Sequence, residues 1–184
     1  MTSTGSTKRR RIARVDGVRV LSVQQPWAWA IVEGHKRVEN RTWTTKHRGE
    51  VLIHAGANVR GPEEFEGLQR EHHLRAPSRI EIDRGCIVGV AELTAVVTRK
   101  DAKRFGRWFE GPYGFVFRNA VALRKPVKLK SQLGLYRPPP ALLARVNAQL
   151  PARRRIRGGK RGRRSAPCQG SPRHASIRSF TPTG

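Results

Sequence analysis

The chain has 184 residues, and 38 of them are Lys or Arg against 13 Asp or Glu, which gives a formal net charge of +25. So large a positive charge favours polyanionic partners, above all nucleic acid. No apolar run is long enough to cross a bilayer, and no leader follows the basic start, so we expect a cytoplasmic protein, or a nuclear one in a eukaryote. No Cys or His spacing is typical of zinc, so neither a metal nor another cofactor is expected.

The positive charge is concentrated at the two ends. Residues 1–17 carry five Lys or Arg against one Asp, and residues 151–184 carry ten and no acid. The C-terminal segment mixes Arg, Gly, Ser and Pro without apolar periodicity, which is typical of disorder. The rest, about 130 residues, suffices for one hydrophobic core but not two. We predict a basic disordered N-terminal arm over 1–17, one domain over 18–150 and a basic disordered C-terminal tail over 151–184.

The hydrophobic pattern predicts more strands than helices. Apolar residues alternate first in a strand over 19–23, and a short buried helix then follows Pro26 and ends near Gly34. The later predicted elements are strands at 50–55, 86–97, 114–117 and 121–129, with helices at 61–75 and 138–150. This order favours an α+β fold built on a small closed sheet.

Three charged residues stand out after the first helix. Glu39 and Arg41 are two positions apart, so both face one side if the segment is extended. Lys36 joins them if the chain turns near Gly34. From the residues alone, a solvated surface salt bridge is the competing interpretation.

The next segment interleaves an aromatic residue with cations: Trp43, Lys46, His47 and Arg48. This combination suits single-stranded nucleic acid, because bases stack on aromatic rings while cations contact phosphates. Equally, Trp43 can belong to the core and the cations to a polar turn. His54, inside an apolar strand, is more typical of a satisfied buried histidine than of a base, and we keep it as a candidate supporting residue.

The spacing over residues 24–55 resembles a known family. It reads Q-P-W-A, then G-x-K-x-x-E-x-R-x-W, then R-G and I-H-A. This order resembles the ASCH domain, a relative of the RNA-binding PUA fold, in its bacterial or phage-type members. The segments GCIVGVAEL at 85–93, GPYGFVF at 111–117 and LGLYRPPPALL at 133–143 extend the likeness. The resemblance implies a PUA-like pseudo-β-barrel with short flanking helices.

The resemblance also implies a ligand cleft lined by Lys36, Glu39 and Arg41. We predict a nucleic-acid-binding protein, with RNA favoured over DNA, that holds a base or nucleotide there while the basic arms grip phosphates. The predicted contact residues are Gln25, Trp27, Lys36, Glu39, Arg41, Trp43, Lys46, His47 and Arg48. The oligomeric state has no signature in the sequence.

An enzymatic alternative stays open, because some small ASCH proteins are acetylcytidine amidohydrolases and others are assigned ribonuclease activity. In that case the chain is a metal-independent hydrolase of RNA or a modified nucleoside, with Lys36 as base or nucleophile and Glu39 as proton shuttle. The amidohydrolases have Thr where this chain has Glu39, and no equivalent of their catalytic Glu is evident. Binding without catalysis is therefore favoured.

Overall fold

The computed structural model describes residues 17–156. Residues 1–16 and 157–184 lie outside this range, and so do the predictions of disorder made for them. The described strands are β1 (Arg19–Gln25), β2 (Val38–Arg41), β3 (Gly49–Val59), β4 (Cys86–Thr98), β5 (Tyr113–Lys128) and β6 (Leu135–Tyr136). The α-helices are α1 (Trp27–Val32), α2 (Pro62–His72) and α3 (Pro140–Asn147), and short 3-10 turns lie at Arg99–Arg104, Gly106–Trp108 and Ala152–Arg154.

All six strands form one mixed sheet in the order β2-β5-β4-β3-β1-β6. The pairing of β1 with β3 is parallel, whereas β3 with β4, β4 with β5, β2 with β5 and β1 with β6 are antiparallel. The predicted α+β class is confirmed. Strand β2, which follows α1 in the chain, lies at one edge of the sheet beside β5. It is therefore not a neighbour of β1 in the strand order.

Side chains alternate across the strands and build a core on each face of the sheet. On one face, Leu21 and Val23 pack with Ile31 of α1. On the other, Val20 and Leu52 pack with Val146 of α3. Helices α1 and α3 therefore bury their apolar sides against the sheet, which explains why helices this short are stable.

Helix α1 approaches the sheet closely at Gly89 in β4. A Cβ atom at this position would lie 2.4 Å from Val32 Cγ1 and 2.6 Å from the Val121 carbonyl oxygen. Only glycine leaves room for this contact. The close packing holds α1, and the turn that follows it, against the middle of the sheet.

Two predicted boundaries change. The strands predicted at 114–117 and 121–129 are one strand, β5, because Asn119 adopts a positive φ of 50° and bends the chain without ending the pairing with β4. The packed region also continues past 150: Ile156 is buried, and the Asn147 side chain hydrogen-bonds to its backbone N–H and C=O at 2.8 and 2.9 Å.

Candidate functional site

Lys36, Glu39 and Arg41 meet in one cluster. Glu39 Oε2 lies 3.2 Å from Lys36 Nζ, and Glu39 Oε1 lies 3.1 Å from Arg41 Nη2. Lys36 and Glu39 are both more than nine-tenths buried, and Lys36 Nζ also donates to the Val38 carbonyl oxygen. This arrangement is a buried ion triad rather than a solvated surface salt bridge.

The backbone explains why the triad forms. After α1 the chain turns at Gly34, whose φ of +81° is one that glycine adopts readily. The Lys36 N–H then donates to the Ala30 carbonyl at 2.9 Å. Strand β2 pairs with β5 and sets Glu39 and Arg41 on one side, where Arg41 Nη2 also donates to the Ser22 carbonyl at 2.6 Å.

Aromatic side chains form walls around the triad. Lys36 Nζ lies 5.8 Å from the centroid of the Trp27 ring and 5.9 Å from that of Trp108. The two indoles meet edge to face with centroids 6.3 Å apart, and His72 stacks on Trp108 at 3.5 Å with the planes 12° apart. Together with the triad they line a cleft of about 500 Å³.

Neither His72 nor Trp108 was among the predicted contact residues. His72 ends α2, and Trp108 lies in a turn before β5, so the two come from distant parts of the sequence. Asn40 fixes the turn: its Nδ2 donates to the Trp108 carbonyl at 3.0 Å, and its Oδ1 accepts from the Glu110 N–H at 3.1 Å. The sequence signal that could have pointed to Trp108 is its position as a large aromatic residue in a predicted turn, between Gly106 and Gly111.

The cleft is not basic, although the chain as a whole is. Its lining carries five Lys or Arg and five Glu, so the formal charges balance. The cations are Lys36, Arg41, Arg60, Arg70 and Arg107, and the carboxylates are Glu39, Glu63, Glu64, Glu71 and Glu110. A nearly neutral, aromatic-walled cleft suits a planar polar group better than a phosphate.

One buried polar atom in the triad lacks a hydrogen-bond partner. Arg41 Nε is inaccessible and has no acceptor among residues 17–156. Buried donors are nearly always paired in native proteins. The Arg41 Nε–H is thus an unpaired buried donor beside Nη2, which makes two contacts.

His72 is titratable and lies on the wall of the cleft. Burial is the main cause that lowers its pKa below the usual 6.5, and the charges of Arg107 and Lys36 lower it further. Glu71 and Glu110 act in the opposite direction. Above its lowered pKa, the His72 ring is a neutral stacking surface with one N–H donor and one acceptor.

The other predicted contact residues lie elsewhere. Gln25 is buried with both ends of its amide engaged: Nε2 donates to the Asp83 carbonyl at 2.8 Å, and Oε1 accepts the Trp29 N–H at 2.9 Å. It therefore anchors the start of α1. Trp43 packs edge to face on Phe115 of the core with centroids 5.0 Å apart, which matches the core alternative.

The basic turn after Trp43 does not reach the cleft either. Lys46 is exposed, His47 is largely buried, and Arg48 Nη1 donates to the carbonyls of Thr45 and His47 at 3.0 and 2.6 Å. None of the three lines the cleft. Of the nine predicted contact residues, the structure brings four into the cleft: Trp27, Lys36, Glu39 and Arg41.

His54 is a satisfied buried histidine. Its Nε2 lies 2.9 Å from the Leu129 carbonyl, which only accepts, so Nε2 carries the proton and Nδ1 accepts from Ser22 Oγ at 3.2 Å. Burial lowers its pKa. Ser22 also lines the cleft, so the hydrogen bond from Ser22 to His54 helps to position one residue of the cleft lining.

Comparison with known proteins identifies the family. The model of the ASCH domain matches residues 21–123, more than half of the chain. The chain belongs to the ASCH domain family. Activating signal cointegrator 1 of Homo sapiens is 33% identical over 123 residues, covering 61% of this chain and 21% of the relative. The Mus musculus protein of that name is 37% identical over 89 residues, covering 46% and 15%. The chain thus spans about a fifth or less of these relatives.

Solved ASCH structures resemble the chain more weakly. A mutant of the Zymomonas mobilis ASCH protein is 20% identical with a TM-score of 0.40, covering 78% of this chain and 88% of that one. The Zymomonas mobilis ASCH structure itself is 17% identical with a TM-score of 0.37, covering 78% and 87%. The family match and the mixed sheet together confirm the predicted PUA-like α+β fold of this ASCH domain.

No helix within residues 17–156 is long and apolar enough to cross a membrane. Within the same range, no three His, Cys, Asp or Glu side chains are grouped so as to hold a metal ion. Localisation in the cytoplasm or nucleus stays a prediction.

Proposed function

We propose that this ASCH protein binds single-stranded nucleic acid and holds one base in the cleft formed by the Lys36–Glu39–Arg41 triad, Trp27, Trp108 and His72. The observation that carries the proposal is the combination of flat aromatic walls with buried hydrogen-bonding groups. Nucleobases are planar heterocycles that stack on aromatic side chains and present donors and acceptors on their edges. A site of this composition matches both properties.

The triad supplies the polar half of the recognition. Glu39 uses both carboxylate oxygens within the triad, at 3.2 and 3.1 Å, but each oxygen has a second lone pair for an exocyclic amino group. Arg41, whose Nη2 contacts Glu39 and the Ser22 carbonyl, adds a positive charge beside the cleft. Fixing Glu39 between two cations keeps these groups in place before the ligand arrives, which lowers the entropic cost of binding.

The charge of the chain supports a polymeric ligand rather than a free nucleoside. The balanced cleft contributes no net attraction, yet the whole chain carries +25. Phosphates are then contacted outside the cleft, by the surface and the terminal segments, without sequence preference. RNA is favoured over DNA because single-stranded, unstacked bases are the usual targets of RNA-binding proteins.

Replacing Trp108 tests the proposal. Trp108→Leu removes one wall of the cleft, and stacking on an aromatic side chain contributes about 1–3 kcal/mol per base, so affinity for a single-stranded RNA oligonucleotide should fall roughly tenfold. Fluorescence anisotropy on the full chain measures it, with a DNA oligonucleotide of the same sequence for comparison. Trp29→Leu is the matched control, since Trp29 contacts His35 and does not line the cleft. Equal affinity of the two variants would refute base binding in the cleft.

One observation favours a second function, hydrolysis of RNA or a modified nucleoside. His72 lies in the same cleft as Lys36 and Glu39, with its pKa lowered mainly by burial. A neutral histidine can act as a general base. If this function holds, the full chain should turn over acetylcytidine or cleave RNA in the presence of chelator, and both Lys36→Ala and His72→Gln should abolish the activity.

A further inference from the structure

A second concave surface lies behind the cleft, between the end of α1, the middle of β5 and the 3-10 turns before β5. It encloses about 630 Å³, and we call it the arginine groove. Its charged lining residues are Lys36, Arg37, Arg104 and Arg118, and no carboxylate lines it. This contrasts with the cleft, where cations and carboxylates balance.

The three arginines of the groove are available to a ligand. Arg37, Arg104 and Arg118 are all exposed, and none has an ion-pair partner among residues 17–156. Glu92 pairs opposite Arg118 in the β4–β5 ladder, but its Oε2 accepts from Asn119 Nδ2 at 2.8 Å. Like charges brought together without a counter-charge repel each other, and an anion in the groove would remove that repulsion.

The groove has a rigid frame. The Phe117 N–H donates to the Arg37 carbonyl at 2.8 Å, which ties the segment after α1 to β5. Phe105, half-buried against Val38 and Phe109, gives the groove an apolar side beside Arg104. Guanidinium groups suit phosphate oxygens, which they contact with two parallel N–H groups.

The groove and the cleft meet at Lys36, which lines both. We propose that the arginine groove is a phosphodiester-binding subsite that holds the backbone of the strand whose base occupies the cleft. This inference rests on the proposed function for its ligand. The two surfaces then bind different parts of the nucleotide: the neutral aromatic cleft contacts the base, and the carboxylate-free groove contacts the phosphates.

The test separates phosphate from base by the choice of probe. An abasic oligonucleotide presents only sugar and phosphate, and a free nucleoside presents a base without phosphate. The groove variant is Arg104→Gln with Arg118→Gln in the full chain. The matched control, Arg124→Gln with Arg145→Gln, removes the same charge from exposed residues that line neither surface.

We expect the groove variant to bind the abasic oligonucleotide about tenfold more weakly than the control variant does. The dependence of log affinity on log salt should flatten by about 1.4, since each phosphate contact with a single strand contributes about 0.7. Nucleoside binding should stay unchanged. Equal losses in groove and control variants would overturn the proposal, because the effect would then be general charge. An equal loss of nucleoside affinity would overturn it too, because the groove would not be a separate subsite.

Two more arms identify the source of the phosphate. Tripolyphosphate that competes more strongly than an abasic oligonucleotide of equal charge would overturn the backbone assignment in favour of a free polyphosphate. A protein that binds no nucleoside, while its abasic-oligonucleotide affinity still depends on Arg104 and Arg118, would refute base binding in the cleft and support the groove. The two proposals therefore fail in different ways.

Discussion

At the scale of single residues, Glu39 is the carboxylate that joins the two cations of the buried triad. It is 8% exposed and lies between the side chains of Lys36 and Arg41. Removing its charge would leave two cations facing each other in a site that water hardly reaches, which costs much more than losing a surface pair. Its role in stability thus precedes any role in binding.

The expected consequence is that Glu39→Gln lowers the free energy of unfolding by about 3 kcal/mol, within the range known for broken buried pairs. Urea unfolding followed by circular dichroism measures the loss. Glu66→Gln is the control, because Glu66 is exposed on α2 and does not line the cleft. A loss at Glu39 no greater than that at Glu66 would contradict the buried triad.

Two histidines, the buried His54 and the partly exposed His72, make stability depend on pH. Burial lowers the pKa of both His54 and His72 below the usual 6.5. The unfolded chain therefore binds protons more readily than the folded one, so the stabilisation is complete above about pH 6.5 and is lost as pH falls towards the folded pKa values. Urea midpoints measured from pH 7.5 to 5 should decline, and His72→Gln should reduce the decline, whereas exposed His35→Gln should not. A midpoint that stays constant over this range would show that neither histidine resists protonation.

At the scale of elements, the contact between α1 and β4 positions the triad. Gly89→Ala would place a Cβ 2.4 Å from Val32 Cγ1 and force the helix away from the sheet. Overpacking of this kind costs about 1–3 kcal/mol. We expect a lower thermal midpoint and weaker oligonucleotide binding together, because Lys36 follows α1 directly.

Gly67→Ala in α2 is the matched control for the effect on stability; it is not a control for binding, because Gly67 lines the cleft. Its new Cβ would meet nothing within 4 Å, so the helix should gain up to about 1 kcal/mol from the better helix former. Differential scanning calorimetry compares the two variants. A Gly89→Ala protein as stable as Gly67→Ala would mean that the helix can move without cost.

The elements also show what the sequence can predict. Strands β1 and β4 and helix α1 follow from short-range alternation and an apolar run, and the structure has them within a few residues of the predicted limits. Strand β5 was predicted as two strands because the pattern breaks at Asn119, whose left-handed conformation bends the chain while cross-strand pairing continues. Pairing with β4 is a tertiary interaction that local periodicity does not encode.

Only the part of the site whose residues lie close together in the sequence was predictable. Lys36, Glu39 and Arg41 lie within six residues, so a turn at Gly34 followed by an extended segment is enough to bring them together. His72 and Trp108 come from separate elements and meet only through the turn fixed by Asn40. Long-range convergence of this kind has no periodicity in the sequence.

At the scale of the whole molecule, the folded region and the basic ends should be separable at Ile156 rather than at residue 150. Ending the chain after Ile156 removes seven Lys or Arg but no residue of the described core. Affinity for single-stranded nucleic acid should fall and its salt dependence should flatten, with an unchanged thermal midpoint.

Ending the chain after Leu150 also removes Ile156 and the Arg154–Glu50 ion pair, and should lower the free energy of unfolding by about 2–4 kcal/mol. Calorimetry of both truncations checks this, and equal midpoints would contradict the boundary.

Photo-crosslinking shows directly whether a base enters the aromatic cleft. A single-stranded oligonucleotide with one photoreactive base is irradiated with the full chain, and the modified residues are mapped by mass spectrometry. If a base enters the cleft, we expect crosslinks at Trp27, His72 or Trp108. These crosslinks should disappear when unlabelled oligonucleotide is added in excess. Crosslinks confined to residues 1–16 and 157–184, with none in the cleft, would contradict base binding there.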